Sequence, residues 1–154
     1  MRARTWLLLL VVALAGVLGY SSWRASQRQQ IIRVVEAMRR SAEKKEMDRL
    51  MSYVSPGYRD AMGFGRAELE RFGEIVARGP EKLRLKTKLT KVEARGGSGV
   101  AQVETTLWVD KEGPFSADLL LEFRKERGAW MLSSSAGWQQ FVASAPAGRP
   151  RGAI

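Results

Sequence analysis

The spacing of apolar residues changes just past Pro80, and that change constrains the fold more than any other feature of the chain. Upstream, Ile31, Val35, Met38 and Ala42 recur at steps of four, three and four, the spacing of one helical face. Downstream, Leu83, Leu85, Thr87 and Leu89 alternate with Arg84, Lys86 and Lys88, the two-residue period of a strand with one buried face. The alternation then slips, with Val92 and Ala94 taking over the apolar parity, which predicts a β-bulge near Thr90 and Lys91.

Three more alternating runs follow. Ala101, Val103, Thr105, Leu107 and Val109 form the inward set of the second, and Phe115, Ala117, Leu119, Leu121 and Phe123 that of the third. Trp130, Leu132, Ser134, Ala136 and Trp138 form that of the fourth. Each junction carries glycine: Arg95-Gly96-Gly97-Ser98-Gly99, Asp110-Lys111-Glu112-Gly113 and Glu126-Arg127-Gly128. Consecutive strands joined by such turns predict an antiparallel meander. One apolar face per strand must be covered, and the preceding helices supply the cover. The expected class is α+β, with helices packed on one face of a curved four-stranded antiparallel sheet.

Those helices can be delimited. Ser26-Gln27-Arg28-Gln29 has the form of a capping box, so a helix starts there or runs straight on from upstream. Met47, Leu50, Met51 and Val54 make a second short amphipathic stretch, stopped by Ser55-Pro56-Gly57. Residues 58–65 read as a loop. Residues 66–78 read as a helix with Leu69, Phe72, Ile75 and Val76 on one face, Gly65 at its N-cap and Gly79-Pro80 as its stop. Residues 143–154, small, basic and rich in Pro and Gly, read as a disordered tail.

The N-terminus adds a membrane element. Residues 6–23 form an uncharged run of 18 that would reach about 27 Å as a helix, close to the hydrocarbon thickness of a bilayer. Trp6 stands at one end and Tyr20 and Trp23 at the other, where amphipathic rings favour the interface. A signal peptide cut at Ala13-Leu14-Ala15 is the competing reading, but it leaves an apolar core of only residues 6–12. The expected layout is therefore a signal anchor or signal peptide at 1–24, an α+β domain at 25–142 and the tail. Arg2 and Arg4 flank one side of the run and Arg24, Arg28 and Arg33 the other, so charge alone separates the two orientations little. A short basic start is expected to stay inside, which puts the domain on the periplasmic side of an inner membrane; cleavage would make it a secreted protein.

Composition excludes several chemistries. The chain has no Cys and no His, which removes disulfides, thiolate metal sites and Ser-His or Cys-His catalysis. Neither a carboxylate pair nor a metal-ligand cluster stands out, and no cofactor is expected. The net charge of +10 suits an anionic lipid surface or an acidic envelope partner. Nucleic acid is disfavoured, because no aromatic residues interleave the charges.

Three stretches resemble the nuclear transport factor 2-like superfamily, also called SnoaL-like or cystatin-like. They are Glu46-Met47-Asp48-Arg49-Leu50-Met51-Ser52-Tyr53, Ser55-Pro56-Gly57-Tyr58-Arg59-Asp60, and the strand pair that meets at Gly128-Ala129-Trp130. The resemblance implies helices closing a cone-shaped pocket against the sheet, and it reaches from about residue 27 to 142. In enzymes of the superfamily Asp, His or Tyr sits inside the cone. One anchor followed by this fold is also the layout of inner-membrane subunits of type IV secretion systems, which by analogy points to assembly.

On that frame Tyr53, Tyr58, Thr87, Thr105, Trp130 and Ser134 are the candidate pocket lining. Asp48 and Asp60 fall at helix ends and in loops, where a carboxylate caps or is solvated, so no catalytic residue is assigned. Lys82, Arg84, Lys86 and Lys88 share one parity and form a candidate basic ridge, unless cross-strand carboxylates such as Glu104 neutralise it. Trp108 and Leu120, apolar but of outward parity, are a candidate homodimer face. The expected function is non-catalytic binding or assembly at a membrane. The alternative is an isomerase- or dehydratase-like enzyme using Tyr and Asp.

Overall fold

In a computed structural model that describes residues 2–79 and 82–140, with side chains from residue 22 onward, the two periodicities become two layers. The helices are α1 (Arg2–Glu43), α2 (Met47–Met51) and α3 (Arg66–Arg78). The strands are β1 (Leu83–Arg95), β2 (Ser98–Val109), β3 (Glu112–Glu126) and β4 (Ala129–Ala136), paired antiparallel in the order β1-β2-β3-β4. The chain is thus α+β, a four-stranded antiparallel sheet with helices packed on it. The capping-box form at Ser26 does not start a helix, because α1 runs through it without a break.

The inner face carries the core. Ile31 and Val35 of α1 meet Ala101, Val103, Leu119, Leu121 and Phe123, all buried. Burying an aliphatic or aromatic side chain of this size contributes about 1.5–3 kcal/mol, so this seam fastens α1 to the sheet. Gly99 lets the seam close: a Cβ there would collide with the tip of Ile31 and lie 3.3 Å from the Trp130 ring.

Each sheet edge has partners over part of its length, which reduces the unpaired backbone that invites further pairing. On the β1 edge, the Glu43 carboxylate accepts from the Leu85 N–H at 2.9 Å and the Arg39 guanidinium donates to the Leu85 carbonyl at 3.4 Å. On the β4 edge, residues 53–61 lie alongside as an extra lane. Ser55 N–H donates to the Leu132 carbonyl, Leu132 N–H to Tyr53, Arg59 N–H to Ser133 and Ala61 N–H to Ser135.

Three register shifts interrupt the ladders; one lies beside the β2–β3 turn, between Leu107 and Val109, and the other two set which side chains face inward along the strands. The expected one occurs in β1, where Leu89 pairs with Val103, Lys91 with Gln102, and Thr90 is the extra residue. The other was not expected. Glu122 pairs with Ser134 and Phe123 with Leu132, so Ser133 is extra and the parity of β4 reverses. Ser134, expected on the inner face, joins exposed Glu122 on the outer side, and Ser135 is the buried serine instead. β4 also ends at Ala136, which leaves Trp138 beyond the strand and partly exposed.

α3 departs from expectation as well. Its capping Glu68 accepts from the Gly65 N–H at 2.9 Å, as the N-cap reading requires. Yet Phe72 and Ile75 are 64% and 70% exposed and do not roof the sheet. The reason is Gly73, which is buried against the Met47 sulfur and lets α3 settle on α2. The packed face is therefore that of Leu69 and Gly73, rotated away from Phe72 and Ile75. Among the described residues no helix is long and apolar enough to cross a membrane. Most side chains of the apolar run at 6–23 lie outside the described residues, as does the tail at 143–154.

Candidate functional site

The inner face of the sheet holds few polar groups, and its end beside β4 is the best defined. The extra lane along β4 carries Tyr58 inward until it is 4% exposed. Its hydroxyl lies 2.6 Å from the Ser135 hydroxyl, which also accepts from the Trp138 indole N–H at 2.5 Å. Burial raises the Tyr58 phenol above its ordinary value, with the Ser135 bond acting against the rise. The phenol therefore stays protonated near neutral pH and cannot serve as a general base there.

The carboxylates near this lane are engaged in holding the backbone. Asp60 Oδ1 accepts from the Met62 and Phe64 N–H groups, both at 2.8 Å, and so shapes the loop before α3. Glu126 accepts from the Ser55 hydroxyl at 2.7 Å. Asp48 is exposed in α2. Among the described residues no group of three His, Cys, Asp or Glu side chains is placed to hold a metal.

The remaining pocket candidates are dispersed. Thr87 and Thr105 pair in register, Thr105 facing Ala117 on its other side. Thr105 is buried, and its hydroxyl is the one buried side-chain polar atom without a partner among the described residues. It lies two strands across and four residues along from Ser135, roughly 16 Å over the sheet. Trp130 is buried at the opposite end from Thr105, donating to the Gln27 side-chain oxygen at 3.1 Å. Tyr53 is half-buried and interacts with Arg49 at the surface. The structure thus sets Thr87 beside Thr105 and joins Tyr58 to Ser135, which was not among the candidates, and leaves Tyr53, Trp130 and Ser134 apart from both.

On the outer side, Lys82, Arg84, Lys86 and Lys88 are all exposed. Lys88 forms an ion pair with Glu104 at 3.1 Å, and the Lys82 backbone N–H donates to Asp110. Arg84 sits opposite Trp108, which is half-buried. Arg84, Lys86 and Trp108 border a concavity of about 530 Å3 that reaches Glu36 and Arg39. Trp108 and Leu120 do share the outer face. However, Leu120 pairs with Gln102, six residues along β2 from Trp108, so the two stand about 20 Å apart and form no single patch.

A polar cluster on α1 escaped the sequence reading. Glu36 accepts from Arg39 at 2.7 Å and from Arg40 at 2.9 Å, and Arg39 also reaches Glu43. Hydrogen bonding from Arg39 is the main cause that holds the Glu36 carboxyl down at about 2, and partial burial opposes it. The three- and four-residue spacings of these charges were available as a signal. Gln27 offered none, and Ser135 could be found only by foreseeing the β4 bulge.

No family model matches the sequence and no curated protein does. Solved structures do match. A nuclear transport factor 2-like protein of unknown function from Pseudomonas putida superposes with a TM-score of 0.65 at 12% identity, over 73% of this chain and 86% of that one. A cystatin-like protein of unknown function from Nostoc punctiforme gives 0.58 at 16% identity, over 71% and 87%. Bd1075 of Bdellovibrio bacteriovorus gives 0.66 at 12% identity over 73% of this chain, which spans only 40% of the length of that protein. These likenesses show the nuclear transport factor 2-like, cystatin-like fold.

Proposed function

We propose that the chain is a membrane-tethered, extracytoplasmic domain that works by binding or assembly and performs no chemistry of its own. The observation that carries the non-catalytic half is the state of the inner-face polar groups. Tyr58, Ser135 and Trp138 are bonded to one another, and Asp60 and Glu126 hold backbone and loop. A proton-transferring site needs a group free to change its protonation near neutral pH, and the Tyr58 phenol is shifted the other way. The tether rests on the uncharged run at 6–23, which belongs to the same helix as the domain's first core residues, Ile31 and Val35.

The tethered reading is tested in cells with the full chain. Alkaline carbonate should leave it in the membrane pellet, and a C-terminal reporter active only outside the cytoplasm should give signal. Release of a shortened chain into the soluble fraction would instead establish a cleaved signal peptide.

One observation favours a ligand at the inner face of the sheet. The Thr105 hydroxyl is buried without a partner, and a buried polar group in that state lowers its free energy by about 1–3 kcal/mol when a bond is supplied. Turnover of a small hydroxylated apolar compound, abolished by Tyr58→Phe or Asp60→Asn, would favour the isomerase- or dehydratase-like reading over the binding one.

A further inference from the structure

The sheet has two ends of different electrostatic character, and α1 fixes which one faces the tether. Along α1, Gln27 meets Lys125 and Trp130, Ile31 meets Gly99, and Arg39 and Glu43 meet Leu85. The helix therefore runs from the end holding the β1–β2 and β3–β4 turns toward the end holding the β2–β3 turn. Gln27 comes four residues after Trp23, about 6 Å of helical rise, with no break in α1 between them. A bilayer whose interface lies at Trp23 would then be within the ~8–10 Å screening length of the first two turns.

That end is basic. It carries Arg24, Arg28, Arg95, Arg124, Lys125 and Arg127. Its carboxylates are Glu93, Glu122 and Glu126, fewer than its basic groups, and Glu93 and Glu126 bond to Lys91 and Ser55. Arg95 and Arg124 flank Ser98 in register on the outer face, and neither they nor Arg127 form an ion pair among the described residues. The opposite end is more nearly balanced, with Lys82, Arg84 and Lys111 against Asp110 and Glu112. Trp23, 48% exposed, stands beside the basic end.

We propose that this end, centred on Arg95, Arg124 and Arg127, docks on the anionic lipid headgroups around the tether and holds the domain upright, with the β2–β3 turn pointing away. The inference rests on the tethered reading above. It assigns the lipid surface to these arginines rather than to the ridge of β1, where Lys88 is already paired with Glu104.

The absence of Cys allows a direct test on the full chain. Single labels are placed through Ser98→Cys and Lys111→Cys, which stand at opposite ends of β2, about 35 Å apart. The chain is inserted into vesicles of phosphatidylcholine, with or without phosphatidylglycerol, that carry a headgroup-bound energy acceptor. Transfer should be severalfold stronger from position 98, and stronger again with the anionic lipid. Charge reversal (R95E, R124E, R127E) moves the charge by two at each site, and with one charge worth about fivefold it should lower the docked-to-undocked ratio by roughly 30-fold per residue; lysine at the same positions should restore it. Equal transfer from both labels, or transfer indifferent to lipid charge and to reversal, would overturn the proposal even if the protein floats with the vesicles. The second of those results would point to an acidic protein as the partner. Failure to float with either vesicle would sink the tethered reading itself.

Discussion

Gln27 of α1 and Trp130 of β4 are joined across 103 residues of sequence by a hydrogen bond of 3.1 Å, in which the indole N–H donates to the amide oxygen. The same oxygen accepts from Lys125 at 3.3 Å, and the Lys125 ammonium lies 5.9 Å from the Trp130 ring. Both partners are buried, so this is where the N-terminal helix is pinned to the last hairpin. Gln27→Leu should destabilise the domain by about 1–3 kcal/mol, because the Trp130 N–H is left buried without an acceptor. Urea unfolding followed by tryptophan fluorescence measures it.

Gly99 should tolerate no larger residue. Any Cβ meets the Ile31 tip, with Trp130 and the Glu93 carbonyl both at 3.3 Å behind it. Gly99→Val is expected to cost about 1–3 kcal/mol by overpacking. Combined with Ile31→Val, which withdraws the colliding methyl, it should cost less than the two changes summed. Strict additivity in that cycle would contradict the contact.

Tyr58 should ionise above the free tyrosine value of 10.0, since its phenol is buried. Ultraviolet titration of the wild type against Tyr58→Phe isolates that step. The substitution removes the bond to Ser135 but leaves Ser135 bonded to Trp138, so the expected loss is about 1 kcal/mol.

The α1 ion-pair cluster predicts a small acid dependence. The folded Glu36 carboxyl lies at about 2, below its unfolded value of 4.5. Its stabilisation is therefore complete above 4.5 and is lost as the pH falls through about 2. Glu36 is 37% exposed, so the total is below about 1 kcal/mol. Urea midpoints of the wild type and Glu36→Gln should differ slightly at neutral pH and converge in acid. A gap that persisted at low pH would mean the role of Glu36 is not ionic.

The sheet was legible because its signal is local. Alternation and glycine turns placed all four strands, and the slip after Leu89 revealed the β1 bulge. The β4 bulge was hidden because Ser133, Ser134 and Ser135 look alike to any test of alternation, so the parity reversal that buries Ser135 left no trace. α3 was found with its bounds, Arg66–Arg78, but not its orientation. The burial of Gly73 depends on where Met47 stands, which is a tertiary fact. Gln27 had no distinguishing mark for the same reason: its importance comes from Trp130, far away in sequence.

Hydrogen exchange across residues 22–30 of the full chain inserted in vesicles tests most directly whether the proposed anchor and the domain are one helix. Uninterrupted slow exchange from Ser22 through Gln30, in step with the segment around Ile31, is the predicted result. A fast-exchanging stretch between Trp23 and Gln27 would reveal a flexible joint, and the fixed upright orientation would fail with it.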